Sequence, residues 1–271
     1  MKRKLSQVFK EYSKRNKSSN RVYVVLRILV IACMVFQLIR GDIQNALMCV
    51  LSLVLFTLPT VFQATFKFRL SGALEIIIYL FIFATEILGE IYNFYGNIPG
   101  WDSMLHTING FICAGVGCGM IELLNGNSQK LKLSPIYVAL VAFCFSMTIG
   151  VCWEFFEYSA DKVLKTDMQK DSIVTEIYSV SLNPEGKNRA VIVEGIDKTI
   201  MYDADGNELA VVEGGYLDIG LNDTMKDMAV NMIGAVVFSV FGFFYEKNRT
   251  KYGFAGNFIP RKEDDDEQGS A

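Results

Sequence analysis

The sequence contains a single histidine, His106, in 271 residues. None of its six cysteines forms a CxxC pair, which excludes zinc-ribbon and thioredoxin-type sites. It has no P-loop and no GxGxxG motif in a strand–helix context, so nucleotide-binding loops of these kinds are also excluded. The net charge is only −3, and no basic stripe with interleaved aromatic residues is present. We therefore expect no nucleic-acid partner.

Long apolar blocks are what the sequence has in excess, since 51% of its residues are hydrophobic. The hydrocarbon core of a bilayer, ~30 Å thick, needs about 20 mostly apolar residues per helix. The blocks that qualify are roughly 22–39, 43–63, 70–92, 103–125, 135–157 and 225–245. All six cysteines lie inside them, as expected of small packing residues. The sequence predicts an all-α polytopic membrane protein with about six transmembrane helices that lies in a lipid bilayer.

The lysines and arginines predict the orientation of these helices, because short cytoplasmic connections are enriched in them. Eight basic residues precede or open the first helix, and Lys247, Arg249 and Lys251 follow the last one. The first connection has only Arg40, and the third has no basic residue. Both termini are therefore predicted to be cytoplasmic.

Five segments follow from these boundaries. They are a basic cytoplasmic segment (1–21), a five-helix transmembrane region (22–160), an extracytoplasmic insertion (161–222), the sixth transmembrane helix (223–247) and a disordered acidic cytoplasmic tail (248–271). Within the insertion, β-rich runs around Asp205-Gly206 predict a small β-hairpin over 189–215. The stretch "TDMQKDSIVTEIY" (166–178), which contains Asp167, is interpreted as a lid or interfacial helix, with a plain loop as the alternative.

Polar side chains occur near one end of four predicted helices. They are Glu86 and Glu90, then Asp102, His106 and Asn109, then Glu154, Glu157 and Asp161, and finally Asp223, Asp227 and Asn231. The predicted orientation uses only lysines and arginines, yet it brings all these residues to the outer ends of their helices. Residues three or four apart share a helix face, so each helix presents one polar stripe. Ionisable groups inside a membrane are costly, which makes these residues candidates for a functional site.

The candidate site has the following members. The candidate catalytic residues are His106, Asp102, Glu154, Glu157 and Asp227, and the candidate metal ligands are His106, Glu154, Glu157 and Asp227. The candidate supporting residues are Asn109, Asn231, Glu86 and Asp167. The cofactor is unknown, but a divalent metal is possible, since several carboxylates beside one histidine need neutralising charge. A purely structural polar cluster remains the alternative. Glu75, Glu90, Glu122 and Asp161 are interpreted as interfacial, and Gly115 and Gly119 as a helix–helix contact.

Several stretches in order resemble the uncharacterised bacterial inner-membrane proteins of the YjdF type. They are "WDSMLHTINGF" (101–111), "CWEFFEYSAD" (152–161), "TDMQKD" (166–171) and "NDTMKDMAVNMIGA" (222–235). The resemblance implies a multi-pass protein of the bacterial plasma (inner) membrane and implies no particular reaction. A looser likeness is to VanZ-like membrane proteins. Those proteins usually have glutamine where this chain has Glu157, and they lack the 161–222 insertion.

Three functions remain open at this stage. The first is an enzyme that uses metal-assisted or acid–base chemistry on a lipid-linked substrate. The second is a cation or proton-coupled transporter that binds a cationic small molecule. The third is a non-catalytic membrane protein that binds a partner through its insertion.

Overall fold

The computed structural model describes residues 16–66, 68–126 and 133–262. The chain has two compact units, a larger helical one and a smaller one that contains the strands between 172 and 218. Within these described residues, six helical segments are long and apolar enough to cross a membrane, which confirms the predicted number. They are Lys17–Ile39, Ile43–Thr65, Gly72–Ile91, Trp101–Ile121, Pro135–Leu164 and Leu221–Lys247.

The first two spans form a helical hairpin. α1 (Lys17–Ile39) leads through a tight turn into α2 (Ile43–Leu55), and Asp42 caps α2 by accepting a hydrogen bond from the backbone N–H of Asn45 at 3.0 Å. The second span then breaks and continues as α3 (Leu58–Phe66). Pro59 lies in the first turn of α3, where its missing N–H costs no hydrogen bond.

The third span changes its helical geometry halfway. After the two-residue strand β1 (Phe68–Arg69), Ser71 caps α4 (Gly72–Phe83), and the helix continues as a π-helix over Ala84–Ile91. The sequence predicted a plain helix here. The four-residue helix α5 (Phe94–Asn97) then leads to the fourth span, α6 (Trp101–Gly126).

The last two spans are α7 (Pro135–Leu164) and α8 (Leu221–Lys247), and they pack with the central helix α6. The packing depends on glycines. A Cβ at Gly117 would lie 2.9 Å from the Cβ of Phe145 on α7, and a Cβ at Gly234 would lie 2.9 Å from the backbone nitrogen of Phe111 on α6. The helices can therefore approach each other closely only where side chains are absent.

The segment after α8 differs from the prediction of a disordered tail. A 3₁₀-helix covers Gly253–Phe258, and β8 (Arg261–Lys262) pairs antiparallel with β1. We call residues 253–262 the C-terminal strap; residues 263–271 lie outside the described part of the chain. Ile259 and Pro260 are fully buried, and apolar burial of this kind orders a segment that its composition alone would leave mobile.

The strap also corrects the interpretation of two glycines. A Cβ at Gly115 would lie 2.6 Å from the backbone oxygen of Phe258, and a Cβ at Gly119 would lie 2.5 Å from Cδ of Pro260. These two glycines of α6 therefore accommodate the strap. Gly115 also faces a helix, because its Cβ would lie 3.3 Å from the ring of Phe238 on α8, whereas the nearest atoms to a Cβ at Gly119 all belong to Pro260.

The smaller unit contains three antiparallel strand pairs. β2 (Ser172–Val174) pairs with β7 (Tyr216–Asp218), β3 (Glu176–Ser179) with β4 (Val191–Glu194), and β5 (Lys198–Tyr202) with β6 (Glu208–Glu213). The β5–β6 pair confirms the predicted hairpin. In its turn, Asp203 accepts hydrogen bonds from the backbone N–H groups of Asp205 and Asn207, and Gly206 has a φ of +85°.

The predicted interfacial helix over 166–178 is wrong, and the plain-loop alternative holds only for residues 166–171. Part of this stretch forms β2 and β3. Its β-branched residues (Ile173, Val174, Thr175 and Ile177) favour strands, and their pairing partners come from segments more than 15 residues away. A local pattern of apolar residues could not show that pairing.

Candidate functional site

The single histidine lies in the second turn of α6 and contacts an aspartate in the first. His106 Nε2 is 3.5 Å from Asp102 Oδ1, a contact between residues four apart on one helix face. His106 is buried, whereas Asp102 is about a quarter exposed, with 26% of its side chain accessible. Gly100, just before the helix, has a φ of +77°, a conformation that favours glycine. The helix begins at Trp101, so Asp102 and His106 lie in its first two turns and on one face.

The next turn of the helices forms an amide layer. The Asn109 side chain on α6 donates a hydrogen bond from Nδ2 to Oδ1 of Asn231 on α8 at 3.3 Å. Nδ2 of Asn231 lies 3.7 Å from the sulfur of Met147 on α7. On the same level, the Ser146 hydroxyl donates to the backbone oxygen of Gly110 at 2.8 Å. Three helices are therefore joined by polar contacts directly below the histidine.

Asp102, His106 and Asp227 form a buried acid–histidine group. Each offers one ligand atom, and these atoms all lie within 4.8 Å of one another. Asp227 is 1% exposed and precedes Asn231 by one turn of the unbroken helix α8. Nζ of Lys226 lies 3.9 Å from Asp227 Oδ1, but this lysine is half exposed, so the contact neutralises the carboxylate only weakly.

The two predicted glutamates on α7 are buried, but they are not members of this three-residue group. Glu154 and Glu157 lie three residues apart on one helix face. Glu157 Oε1 accepts a hydrogen bond from Nε1 of Trp153 at 2.8 Å. The role of both glutamates in catalysis or metal binding stays a prediction.

The predicted supporting residues have different surroundings. Glu86 lies in the π-helix, and its Oε2 is a buried atom without a hydrogen-bond partner among the described residues. Single π-helical turns often mark functional sites. Asp167 is exposed in the smaller unit, where Lys170 Nζ lies 3.7 Å from its carboxylate. Neither residue belongs to the three-residue group, and their supporting roles stay predictions.

One buried polar pair was missed by the sequence interpretation. Nε2 of Gln63 on α3 donates to Oε1 of Glu75 on α4 at 2.9 Å, and Oε1 of Gln63 accepts from the backbone N–H of Leu70 at 2.9 Å. Glu75 had been interpreted as interfacial, yet it is only 8% exposed; the side chain of Glu122 lies outside the described residues. Gln63 and Glu75 flank β1, and only the turn between the spans brings them together.

Two comparisons with known proteins gave matches. Residues 22–248 match the family described as "Predicted membrane protein (DUF2238)", and the chain belongs to this family. An "Uncharacterized protein" of Thermotoga maritima is 26% identical over 150 residues, which are 55% of this chain and 74% of the relative. No solved structure matches the chain. The family match agrees with the membrane-protein part of the resemblance and leaves the YjdF-type and VanZ-like likenesses untested.

Proposed function

We propose that this family member binds a divalent metal ion through Asp102, His106 and Asp227 and uses it to hydrolyse a lipid-linked substrate. The proposal depends on the distance between the candidate ligand atoms, which all lie within 4.8 Å of one another. Protein ligands bind Zn²⁺ at about 2.0–2.2 Å, so two ligands of one ion lie up to about 4.4 Å apart. The group is therefore close to the size of a metal site.

The chemistry of the donors supports a catalytic metal. One imidazole and two carboxylates suit Zn²⁺ or Mn²⁺. Three protein ligands leave at least one coordination position for water or substrate, as in catalytic zinc sites. A bound metal ion makes water a nucleophile near neutral pH. Glu154, buried on α7, is our candidate for the general base that accepts the proton of this water.

The surroundings of Glu154 favour a substrate that arrives through the membrane. Trp153, Phe155, Phe156 and Tyr158 on the same helix are exposed aromatic residues. Tryptophan and tyrosine side chains are enriched at the level of lipid headgroups. A substrate with a lipid tail would present its headgroup at this level. We propose that this is the extracytoplasmic side of a bacterial plasma membrane, because the distribution of lysines and arginines predicts that both termini are cytoplasmic.

The test is a measurement of bound metal in the purified protein. After extraction in a mild detergent and incubation with Zn²⁺ or Mn²⁺, we expect about one ion per chain by elemental analysis. His106→Ala should lose this ion. Glu154→Gln should keep it but lose hydrolysis of a lipid diphosphate in detergent micelles. Asp205→Ala, which removes a carboxylate from the hairpin turn, should change neither. The proposal fails if the wild-type chain binds neither ion, or if His106→Ala binds as well as wild type.

The Gln63–Glu75 pair favours a cation or proton-coupled transporter as a second candidate. Glu75 is near the start of the third span and Glu86 is near its end, so this one span carries polar groups at both ends. Transport needs groups of this kind along its path. A proton or cation flux in liposomes that Glu75→Gln abolishes would establish this candidate, and the absence of flux would exclude it.

A further inference from the structure

We infer that Asn231 is a positioning residue, which holds α8 against α6 so that Asp227 lies beside His106. The inference rests on the proposed function. Asn231 is 1% exposed, and its carboxamide contacts two neighbouring helices. Oδ1 accepts the hydrogen bond from Asn109 on α6, and Nδ2 lies 3.7 Å from the sulfur of Met147 on α7. Because these contacts engage both ends of the amide, its role is to hold the helices together.

Glycines on both partner helices surround this asparagine. A Cβ at Gly110 on α6 would lie 2.9 Å from the carbonyl carbon of Asn231, and it would collide with the carbonyl oxygen. A Cβ at Gly150 on α7 would lie 2.7 Å from Nδ2 of Asn231. One turn further along α8, Gly234 lies against the backbone of Thr107 and Phe111. The backbones of α6 and α8 are thus in direct contact here. No side chain lies between them that could change its rotamer to make room for an added methyl group.

The spacing along the two helices then sets the position of the ligands. Asn231 meets α6 at Gly110, four residues after His106, and Asp227 lies four residues before Asn231 on α8. Four residues of helix rise about 6 Å, so equal steps back from the contact bring His106 and Asp227 to the same level. Metal sites tolerate errors of only about 0.2 Å in ligand distance. A shift of α8 at Asn231 would therefore change the distance between Asp227 and the two candidate ligands on α6.

The experiment compares substitutions that disturb this contact with one that disturbs a different contact of the same helix. Asn231→Ala removes the amide, and Gly110→Ala pushes the two backbones apart. Gly117→Ala is the matched control, since its new Cβ would meet Phe145 on α7, at 2.9 Å. We expect Asn231→Ala and Gly110→Ala to weaken Zn²⁺ binding about 10–100-fold, the loss typical of groups that orient ligands, with one site per chain retained. Gly117→Ala should stay within about threefold of wild type in Zn²⁺ affinity.

A second measurement needs no metal. His106 is the only histidine, so its imidazole ¹H–¹⁵N signals are the only ones of their kind, and His106→Gln assigns them by their loss. At one fixed pH and without metal, Asn231→Ala should move these signals, whereas Gly117→Ala should not. If Asn231→Ala fails to fold, Asn109→Ala removes the same hydrogen bond from α6 and should move them in the same direction.

The outcomes separate the two proposals. If the wild type binds Zn²⁺ and Asn231→Ala binds it equally well, Asn231 does not position the ligands, although the metal site stands. If the wild type binds no Zn²⁺, the proposed function fails, and the imidazole signals alone decide the inference. Signals that are unchanged in Asn231→Ala, or that move equally in Gly117→Ala, overturn it in either case.

Discussion

Gly115 on α6 offers a sharp test of how tightly the C-terminal strap is packed. A Cβ at this position would lie 2.6 Å from the backbone oxygen of Phe258. Ordinary contact begins at 3.4 Å, so the strap would have to move by roughly 0.8 Å in Gly115→Ala. The obstacle is a backbone atom that no rotamer change can remove.

The magnitude follows from two opposing effects. Alanine in place of glycine in a helix stabilises it by about 1 kcal/mol, whereas overpacking costs about 1–3 kcal/mol. Gly242→Ala on α8 is the matched control, because its Cβ would find its nearest neighbour, Cys118 Sγ, at 3.6 Å. The helix contribution cancels between the two variants. Gly115→Ala should therefore be less stable than Gly242→Ala by about 1–3 kcal/mol.

The assay is thermal unfolding in detergent, combined with limited proteolysis after residue 252. A difference of 1 kcal/mol shifts Tm by about 2–4 °C in a chain of this size. Gly115→Ala should unfold at the lower temperature and be cut faster within the strap. Equal Tm values and equal cleavage rates for the two variants would show that the strap does not pack against α6 as described.

Three further predictions concern other parts of the molecule. Gln63→Leu should destabilise the protein by about 1–3 kcal/mol in thermal unfolding, because Glu75 loses its hydrogen bond, whereas Gln44→Leu on the exposed face of α2 should have little effect. The hydrogen bond from the side-chain amide of Asn207, followed by backbone N–H groups, holds the pKa of Asp203 below its ordinary value. The ionised Asp203 carboxylate therefore stabilises the hairpin fully above its unfolded pKa of about 3.9, and this stabilisation is lost as the pH falls through the folded pKa. Amide exchange in the hairpin should rise in that acid range in the wild type, and Asp203→Ala should show the faster exchange at neutral pH too. Finally, a chelator should lower the Tm of the metal-loaded protein by an amount that grows with metal concentration, and it should leave the Tm of the histidine variant unchanged.

The helical part of the fold was predictable because each span is a local property of the sequence. About 20 apolar residues in a row have few alternatives to a membrane helix, and the six spans follow from that rule. The position of His106 on one face with Asp102 was equally local, since it depends only on a spacing of four residues. Asp227 could be grouped with them because it also lies near one end of its helix.

The errors arose where distant segments meet. Ile173 and Ile177 form an apolar pattern that fits a surface helix, but strands from 191–194 and 216–218 pair with this stretch. Gly115 and Gly119 have the spacing of a helix contact, yet the nearest neighbour of each is the irregular strap, more than 130 residues away. The burial of Glu75 depends on Gln63 across a turn. In each case the contact that decides the structure is made with another segment, and the local pattern of residues does not show it.

The position of the C-terminal strap has a consequence for how the protein is assembled. Residues 253–262 come after the last membrane helix, so all six spans are synthesised before this segment. Until this segment docks, the strap does not cover α6 at Gly115 and Gly119, and Ile259 is not buried. Helix insertion alone therefore cannot complete the bundle. We expect the docking of this short segment to be a late step of folding, and a chain in which it failed would keep its six helices but pack them more loosely around α6.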